Sequence, residues 1–446
     1  MSLRALVAEF AGTDALATLD AAKPVNNPIA GIVGDLSVSP RRPGEPDVAY
    51  TVAIGTDAAR IALPDTGVSF VLSASGVGFT HDRAAARAVG EVVERYAATH
   101  PDPSALVDAA WSELCGPHPR EYALFSDAQH AEGLPYRPFD SHTHMEWVRA
   151  TDLTCQGEAW VPAGLVYLVR PERPWRVSIG PATSTGLACA RTKVAATLAG
   201  LLEAIERDAF TLTWLRRLPT APVVLPDEGP LRRLIQRRFL ASGLDFLVRL
   251  LPTDLGVYVM LVMVLDAGAD RAVAAVGAAA HLDPSAALLK ALLEAVQTRA
   301  WLLEMGGGAG FDPGPDFANV RRFKDHVLLY GQPRCGPLLR FLMDTPAPSL
   351  RLEDLPDLHH GSHDADVEYC VGRLRVAGLK PVAVTLTPPD LAACGFEVVK
   401  VLAPGLLGIA ASHRFRFLGG QRLWEVPSRL GLGVARSVNP DPHPFP

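Results

Sequence analysis

Three times along this chain a glycine- or alanine-rich segment leads into an acid, two spacers, a second acid or amide, and an arginine at once or one residue later. The first copy is SGVGFTHDRAAARAVGEVVERYA, with Glu91, Glu94 and Arg95. The second is STGLACARTKVAATLAGLLEAIERDAF, with Glu203, Glu206 and Arg207, and the third is VGAAAHLDPSAALLKALLEAVQTRAW, with Glu294, Gln297 and Arg299. Apolar residues recur in each at helical spacing (Val89, Val92, Val93, Tyr96; Leu201, Leu202, Ile205; Leu292, Leu293, Val296), which predicts three helices with one buried face each. Side chains at i and i+3 share a face, so two acids of one copy repel unless something positive lies between or opposite them. One Glu-x-x-Glu-Arg on a solvated helix is ordinary surface sequence. Three copies with matched lead-in segments, two of them in strongly apolar surroundings, point instead to a repeated unit that carries chemistry.

Magnesium takes oxygen ligands and commonly binds through a few carboxylates plus substrate phosphates, so several such acid pairs brought together would hold Mg-ATP. Arg95, Arg207 and Lys290 would then neutralise phosphate oxygens, and backbone amides at the turn around Thr185 and Gly186 would add donors. No Gly-x-x-x-x-Gly-Lys-Ser/Thr occurs, which excludes a P-loop as the phosphate cradle. Cys189, beside the second copy, reads as a small buried filler rather than a nucleophile. The cluster HHGSHDAD (His359, His360, His363, Asp364) reads as a solvated loop with a helix N-cap, and His443 reads as a spacer near the end of the chain.

Apolar runs VSFVLSAS, VYVMLVMVLD, KPVAVTLT and EVVKVL read as strands that alternate with helical patterns, which predicts a mixed α/β (α+β) fold. The chain has 446 residues, 48% of them apolar, enough for one large core or two to three smaller ones. SVSPRRPGEPD, with Pro40, Pro43 and Pro46, marks a boundary or exposed loop. GPHPREYALFSDAQHAEGLPYRPFD is a second irregular region, and EMGGGAGFDPGPDF a third, in which Gly306 to Gly308 predict a mobile loop or lid. A net charge of -6 with scattered basic residues argues against nucleic-acid or anionic-membrane partners. The longest purely apolar run, Val257 to Leu265, is far shorter than the roughly 20 residues a membrane span needs. The start, with Glu9, Asp14 and Asp20, lacks an apolar run of secretory length, and a cytoplasmic protein with six reduced cysteines is expected.

At Ser184 to Ala188 (STGLA) followed by Gly200 to Ala209 (GLLEAIERDA) the chain resembles the YcaO family, and the first and third copies are similar to that family's other nucleotide motifs. VVKVLAPGLLGI followed by FLGGQRLWEVPSRLG resembles its C-terminal part, and NPDPHPFP, with Pro442, Pro444 and Pro446, resembles the proline-alternating tail of its azoline-forming branch. The resemblance implies a YcaO-type ATP-binding fold of repeated strand-helix units over residues 65–446, with 1–64 an N-terminal edge segment and 440–446 a proline-rich tail. It implies Glu91, Glu94, Glu203, Glu206 and Glu294 as magnesium ligands, and Arg95, Ser184, Thr185, Arg207, Lys290, Gln297 and Arg299 as nucleotide partners. It also implies that the tail threads to the active site, placing the carboxylate of Pro446 near the reacting groups. The sequence departs from the pattern at Arg87, where a serine is usual, Ala195, where a glutamate is usual, and Lys290, where an arginine is usual. Arg191 likewise occupies a position that is usually small or amide-bearing.

The reaction implied is ATP-dependent cyclodehydration of a ribosomal precursor peptide, in which a Cys, Ser or Thr side chain attacks the preceding backbone amide to give a thiazoline or oxazoline. Other readings are a YcaO enzyme forming a thioamide or amidine, a docking scaffold without catalysis, and an unrelated kinase or ligase. No leader-binding segment is recognisable, so a separate partner resembling ubiquitin-activating enzymes is expected. A flavin dehydrogenase and a homodimer complete the partners expected.

Overall fold

The computed structural model describes residues 13–27, 31–57, 60–62, 69–122, 124–169, 175, 177–265, 275–432 and 437–446. Glu9 and the rest of the first twelve residues, on which part of the cytoplasmic expectation rests, lie outside them, as do other parts of the segment 1–64. After helix α1 (Thr13–Ala22), strands β1 (Val33–Ser39), β2 (Ala49–Gly55) and β5 (Ser73–Gly78) form an antiparallel sheet in that order. A short hairpin of β3 (Arg60–Ala62) and β4 (Ser69–Val71) branches from it, so VSFVLSAS is two strands rather than one. Helix α2 (His81–Thr99) folds back onto β5 and β2.

A six-stranded antiparallel sheet runs β6 (Leu106–Ala109), β7 (Met145–Asp152), β15 (Val382–Thr385), β16 (Glu397–Leu402), β9 (Leu187–Ala190), with β8 (Glu158–Pro162) also on β7. Helix α3 (Lys193–Arg216) lies across β9 and β16. A five-stranded sheet runs β13 (Ala275–His281), β12 (Tyr258–Leu265), β11 (Asp245–Leu250), β10 (Ala221–Val224), β14 (Leu350–Arg351), parallel only at its last pair. Helix α4 (Pro230–Arg238) precedes β11, and α5 (Pro284–Glu304) covers β13 and β12. Helices α6 (Phe323–Tyr330), α7 (His363–Val376) and α8 (Arg422–Arg429) complete those of eight residues or more among the described residues. Strands and helices do alternate, and the fold is mixed, but nearly every strand pair is antiparallel. Among the described residues no helix is long and apolar enough to cross a membrane.

The apolar run of β12 is continuous because both of its faces are covered. Val259, Leu261 and Met263 join the core around α3, while Met260, Val262 and Val264 join the core around α5. Helix α3 has most of its surface buried, so its few polar residues have few directions open to them.

Each repeat folds as a strand turning directly into a capped helix. Thr80 accepts from the Arg83 N–H at 3.3 Å, Thr192 from Ala195 at 3.2 Å, and Asp283 from Ser285 at 2.7 Å, with Pro284 following where its missing N–H costs nothing. The glycine and alanine lead-ins exist because helix and strand lie almost in contact. A Cβ on Gly76 would sit 2.0 Å from the Ala84 carbonyl oxygen, and one on Gly277 would sit 2.2 Å from the Ala295 nitrogen. The segment around Gly306 to Gly308, expected as a mobile loop, is a series of turns tied back to α5 by the Gly307 N–H on the Leu302 carbonyl at 2.8 Å. Gln332 holds it from the other side through the Gly308 and Phe311 carbonyls.

The close approach yields a test. Gly277→Val is expected to cost about 3 kcal/mol, because the clash is with helix backbone and not with a side chain that can turn away. A lowered denaturant midpoint at unchanged slope checks it.

Candidate active site

The three acid-bearing helices meet. Glu91, Glu94 and Arg95 of α2, Glu203 and Arg207 of α3, and Glu294 and Gln297 of α5 all line one cavity of about 1180 Å3. The turn before β9 adds Ser184 and Thr185, and the chain end adds Phe445 and Pro446. Caps set this convergence: each helix begins at a strand end of one of three sheets, and its acids fall two or more turns in, on the side facing the other two helices.

In α2 and α3 an arginine balances the acid one turn back and the acid just before it. Arg95 is 3.2 Å from Glu91 and 3.9 Å from Glu94, and Arg207 is 3.1 Å from Glu203 and 3.2 Å from Glu206. The Gly186 N–H donates to Glu203 at 3.2 Å, and Gln297 donates to the Ser75 carbonyl and hydroxyl at 2.9 and 2.8 Å. Burial raises the carboxyls of Glu91 and Glu94, with Arg95 opposing it and Glu203 adding to it. Burial likewise raises Glu294, against the pull of Lys290 and Arg207, and pushes Glu206 up to about 8 despite Arg207 beside it. Glu206 Oε1, Arg207 Nη1 and Arg95 Nε are buried with no hydrogen-bond partner among the described residues. Among the described residues these acids are not gathered as a ready-made metal site, but oxygen ligands in surplus, with cations held against them, have the chemistry for magnesium carried on a triphosphate, whose own oxygens would complete the ligand set.

A family model described as YcaO cyclodehydratase, ATP- and Mg2+-binding, matches residues 75–407. The chain belongs to the YcaO cyclodehydratase family. It is 29% identical over 337 residues to an uncharacterised protein of Methanothermobacter thermautotrophicus, over 74% of this chain and 81% of that protein. A solved heterocyclase in complex with substrate and cofactor superposes with a TM-score of 0.78 at 26% identity, over 97% of this chain and 57% of its own. This chain thus spans little more than half of that heterocyclase. The YcaO protein of Methanopyrus kandleri bound with AMPPCP and Mg2+ shares the fold, with a TM-score of 0.62 at 24% identity over 86% of this chain and 88% of that one.

Not every residue singled out from the YcaO pattern reaches the cavity. Arg299 points elsewhere: its buried guanidinium is paired with Glu45 of the proline-rich loop and clamps that loop to α5. Glu206, 5% exposed, and Lys290 stand behind the lining, where Lys290 acts on Glu206, Glu294 and His281. Pro442 and Pro444 are buried along the path of the tail, and only Phe445 and Pro446 of the tail line the cavity. The departures Arg87 and Arg191 do line it. Arg87 donates to the Val77 carbonyl at 2.9 Å, and Arg191 donates to Cys394 while packing over the Phe396 ring. Cys189, expected as filler, is half-buried on the cavity wall with its thiol pushed up by burial. Ser362 caps α7 as the HHGSHDAD reading expects, and Asp366, inside that helix, accepts from His359 and from the His360 N–H. No group of three or more His, Cys, Asp or Glu arranged as a metal site is found among the described residues.

Sequence reasoning missed the residues that hold the tail. Prolines give the tail few N–H groups, so it cannot be held as an ordinary strand, but its carbonyls remain free to accept. Arg416 donates to Asn439 at 2.7 Å, Trp214 to Asp441 at 3.0 Å and Tyr330 to Pro442 at 2.5 Å. The two ring nitrogens of His326 lie 2.8 Å from the His443 carbonyl oxygen and 3.0 Å from that of Ala411. A neutral ring has one N–H and serves one oxygen at a time, and burial, which pushes His326 down to about 4, favours the neutral ring. His443 is no spacer: its ring stacks on His326 at 3.7 Å, and its Nε2 lies 3.0 Å from the Ala410 carbonyl oxygen. The only sequence signal was the alternation of the prolines.

Two expectations follow. Because the folded carboxyl of Glu206 is raised, its contribution to stability is full below the ordinary value of 4.5 and is lost as pH rises through about 8. Magnesium and nucleotide favour the ionised form, so the thermal shift they produce should grow between about pH 6 and about pH 8.5, read by scanning fluorimetry. Replacing Tyr330 by Phe together with His326 by Phe should free the tail: amide exchange at Asn439, Asp441, His443 and Phe445 should speed up at least about tenfold, read by mass spectrometry.

Proposed function

We propose that this YcaO protein is an ATP-dependent cyclodehydratase that forms thiazoline or oxazoline rings in a ribosomal precursor peptide. The observation that carries the reading is the meeting of three acid-bearing helices and the end of a proline tail in one cavity. An amide oxygen is a poor leaving group in water, so its removal needs covalent activation, and ATP supplies it. A Cys, Ser or Thr side chain of the peptide adds to the preceding carbonyl carbon. The oxyanion so formed takes the γ-phosphoryl group of ATP, releasing ADP. In the five-membered ring that the addition has closed, the C–O bond then breaks, phosphate leaves, the backbone nitrogen loses its proton, and the C=N bond of the azoline forms.

Glu91, Glu94, Glu203 and Glu294 would hold magnesium, with Glu206 behind them. When bound, magnesium offsets the charge of the triphosphate. Arg95 and Arg207, now paired with carboxylates, would turn part of their guanidinium edge to phosphate oxygens. Ser184, Thr185 and Gln297 lie where they can bond the nucleotide. The carboxyl group of Pro446 is our candidate for the base that takes the N–H proton, and the side-chain donors along the tail fix its position so that little freedom is lost at the moment of reaction. Lys290 and Arg299 act at a distance in this scheme, one on the charge of Glu206 and Glu294, the other on the loop that walls the cavity. In this scheme capture of the precursor's leader would fall to a separate partner resembling ubiquitin-activating enzymes.

The test is mass spectrometry of a precursor peptide incubated with the protein, the partner and Mg-ATP. Wild type is expected to remove one water per ring and release free phosphate. Glu203→Ala should lower the rate at least about a hundredfold, and removal of Pro444 to Pro446 should abolish ring formation while nucleotide binding persists. A product that gains sulfur, or a stably phosphorylated product, would replace this reading, and no ATP turnover with peptide and partner both present would make the chain a docking scaffold.

A further inference from the structure

Strand β16 reads EVVKVL, and its lysine should not be where it is. Val399 and Val401 face the core around α3, Val398 faces the core around α2, and Lys400, on the same side as Val398, is 1% exposed. Burying an ammonium with no compensation costs several kcal/mol, so its surroundings have to account for it. Its Nζ donates to the Thr183 carbonyl, in the turn that brings Ser184 and Thr185 to the cavity. Burial lowers its pKa to about 8, with Glu203 and Glu94 opposing that and Arg95 adding to it.

The three nearby cations are not equivalent. Arg95 and Arg207 sit directly on Glu91 and Glu203 and occupy oxygens that a metal would use. Lys400 makes no direct ion pair among the described residues; it acts on Glu94 and Glu203 through space from beneath the turn and occupies none of their oxygens. Arg95 and Arg207 line the cavity, where a phosphate can reach them, whereas Lys400 is buried behind it and bonded to the Thr183 carbonyl. A divalent cation arriving alone therefore meets a positive charge that does not yield. The same cation arriving with a triphosphate brings its own negative charge.

We infer that Lys400 is a positioning residue that makes metal binding at this site conditional on nucleotide: its charge, buried beneath the turn that brings Ser184 and Thr185 to the cavity, disfavours a bare divalent ion beside Glu94 and Glu203. The inference rests on the proposed assignment of those carboxylates as metal ligands. Manganese binding to the full chain, followed through the resonance of free Mn2+, tests it with and without AMPPCP. Wild type should bind Mn2+ at least tenfold more tightly with AMPPCP than without. Lys400→Gln, which keeps a donor for the Thr183 carbonyl, should tighten binding without nucleotide by roughly tenfold and shrink that ratio, as should Lys400→Met. Lys400→Arg should keep the ratio near that of wild type.

A ratio unchanged in Lys400→Gln and Lys400→Met, or weaker Mn2+ binding in them, would overturn the inference while leaving the carboxylate assignment intact. Unfolding of both neutral variants beside a folded Lys400→Arg would assign the lysine to the fold alone and overturn it as well. Wild-type protein that binds no Mn2+ with AMPPCP, and no differently after Glu203→Ala, would instead sink the assignment beneath it.

Discussion

The site depends on the cost of placing carboxylates on helices that are otherwise buried. The apolar faces of α2, α3 and α5 must pack, and packing carries Glu91, Glu94, Glu206 and Glu294, around Glu203, into a region where the charged forms of those four are disfavoured. An exposed i,i+4 pair contributes a few tenths of a kcal/mol, but here Arg95 and Arg207 are needed because like charges converge from three helices. Even so, burial outweighs them at Glu91, Glu94, Glu206 and Glu294, whose carboxyls stay raised. A cluster of acids held at such a cost would gain most from a cation that joined it.

Such a convergence needs the helices to lie very near their strands, which explains why the repeat is written in small residues. Gly76 and Gly277 remove a Cβ at the point of contact, and the alanines of β13 let α5 settle onto it. The largely buried α3 stands at the centre. Its Asp208 is bonded to Arg422, which also reaches Asp254, so α8 and the loop before β12 are tied to the helix that carries Glu203 and Arg207. That network fixes the central helix from the side opposite the cavity, in bonds that no periodicity of apolar residues announces.

Much of this was readable in advance because it is local. The helical spacing behind each acid and the apolar run of β12 follow from neighbours in sequence, and the caps at Thr80, Thr192 and Asp283, which were not singled out, are local in the same way. The carboxylates of the three copies were legible as a group because the copies match. Long-range partners were not. Arg299 resembles Arg95 and Arg207 in its copy, yet it pairs with Glu45, some 250 residues away, because one extra residue in ALLEAVQTRA turns its side chain to another face of the helix. Lys400 was hidden in an apolar run that reads as a plain strand, since alternation tells which face a residue takes but not what waits there.

The tail shows the same limit from the other direction. Alternating prolines announced a stiff segment, but stiffness alone does not say where it docks. Docking is decided by donors on α3, α6 and the segment after β16, which meet carbonyls that no strand partner has claimed. Arg207 joins this device to the acid cluster, since its guanidinium bridges Glu203 and Glu206 and also lies 4.4 Å from the centre of the Phe445 ring. A phosphate that draws Arg207 away from its carboxylates therefore also changes the seat of Phe445. The end of the tail and the acid cluster thus share a contact in Arg207, and Phe210 of the same helix packs on the Phe445 ring from 4.7 Å.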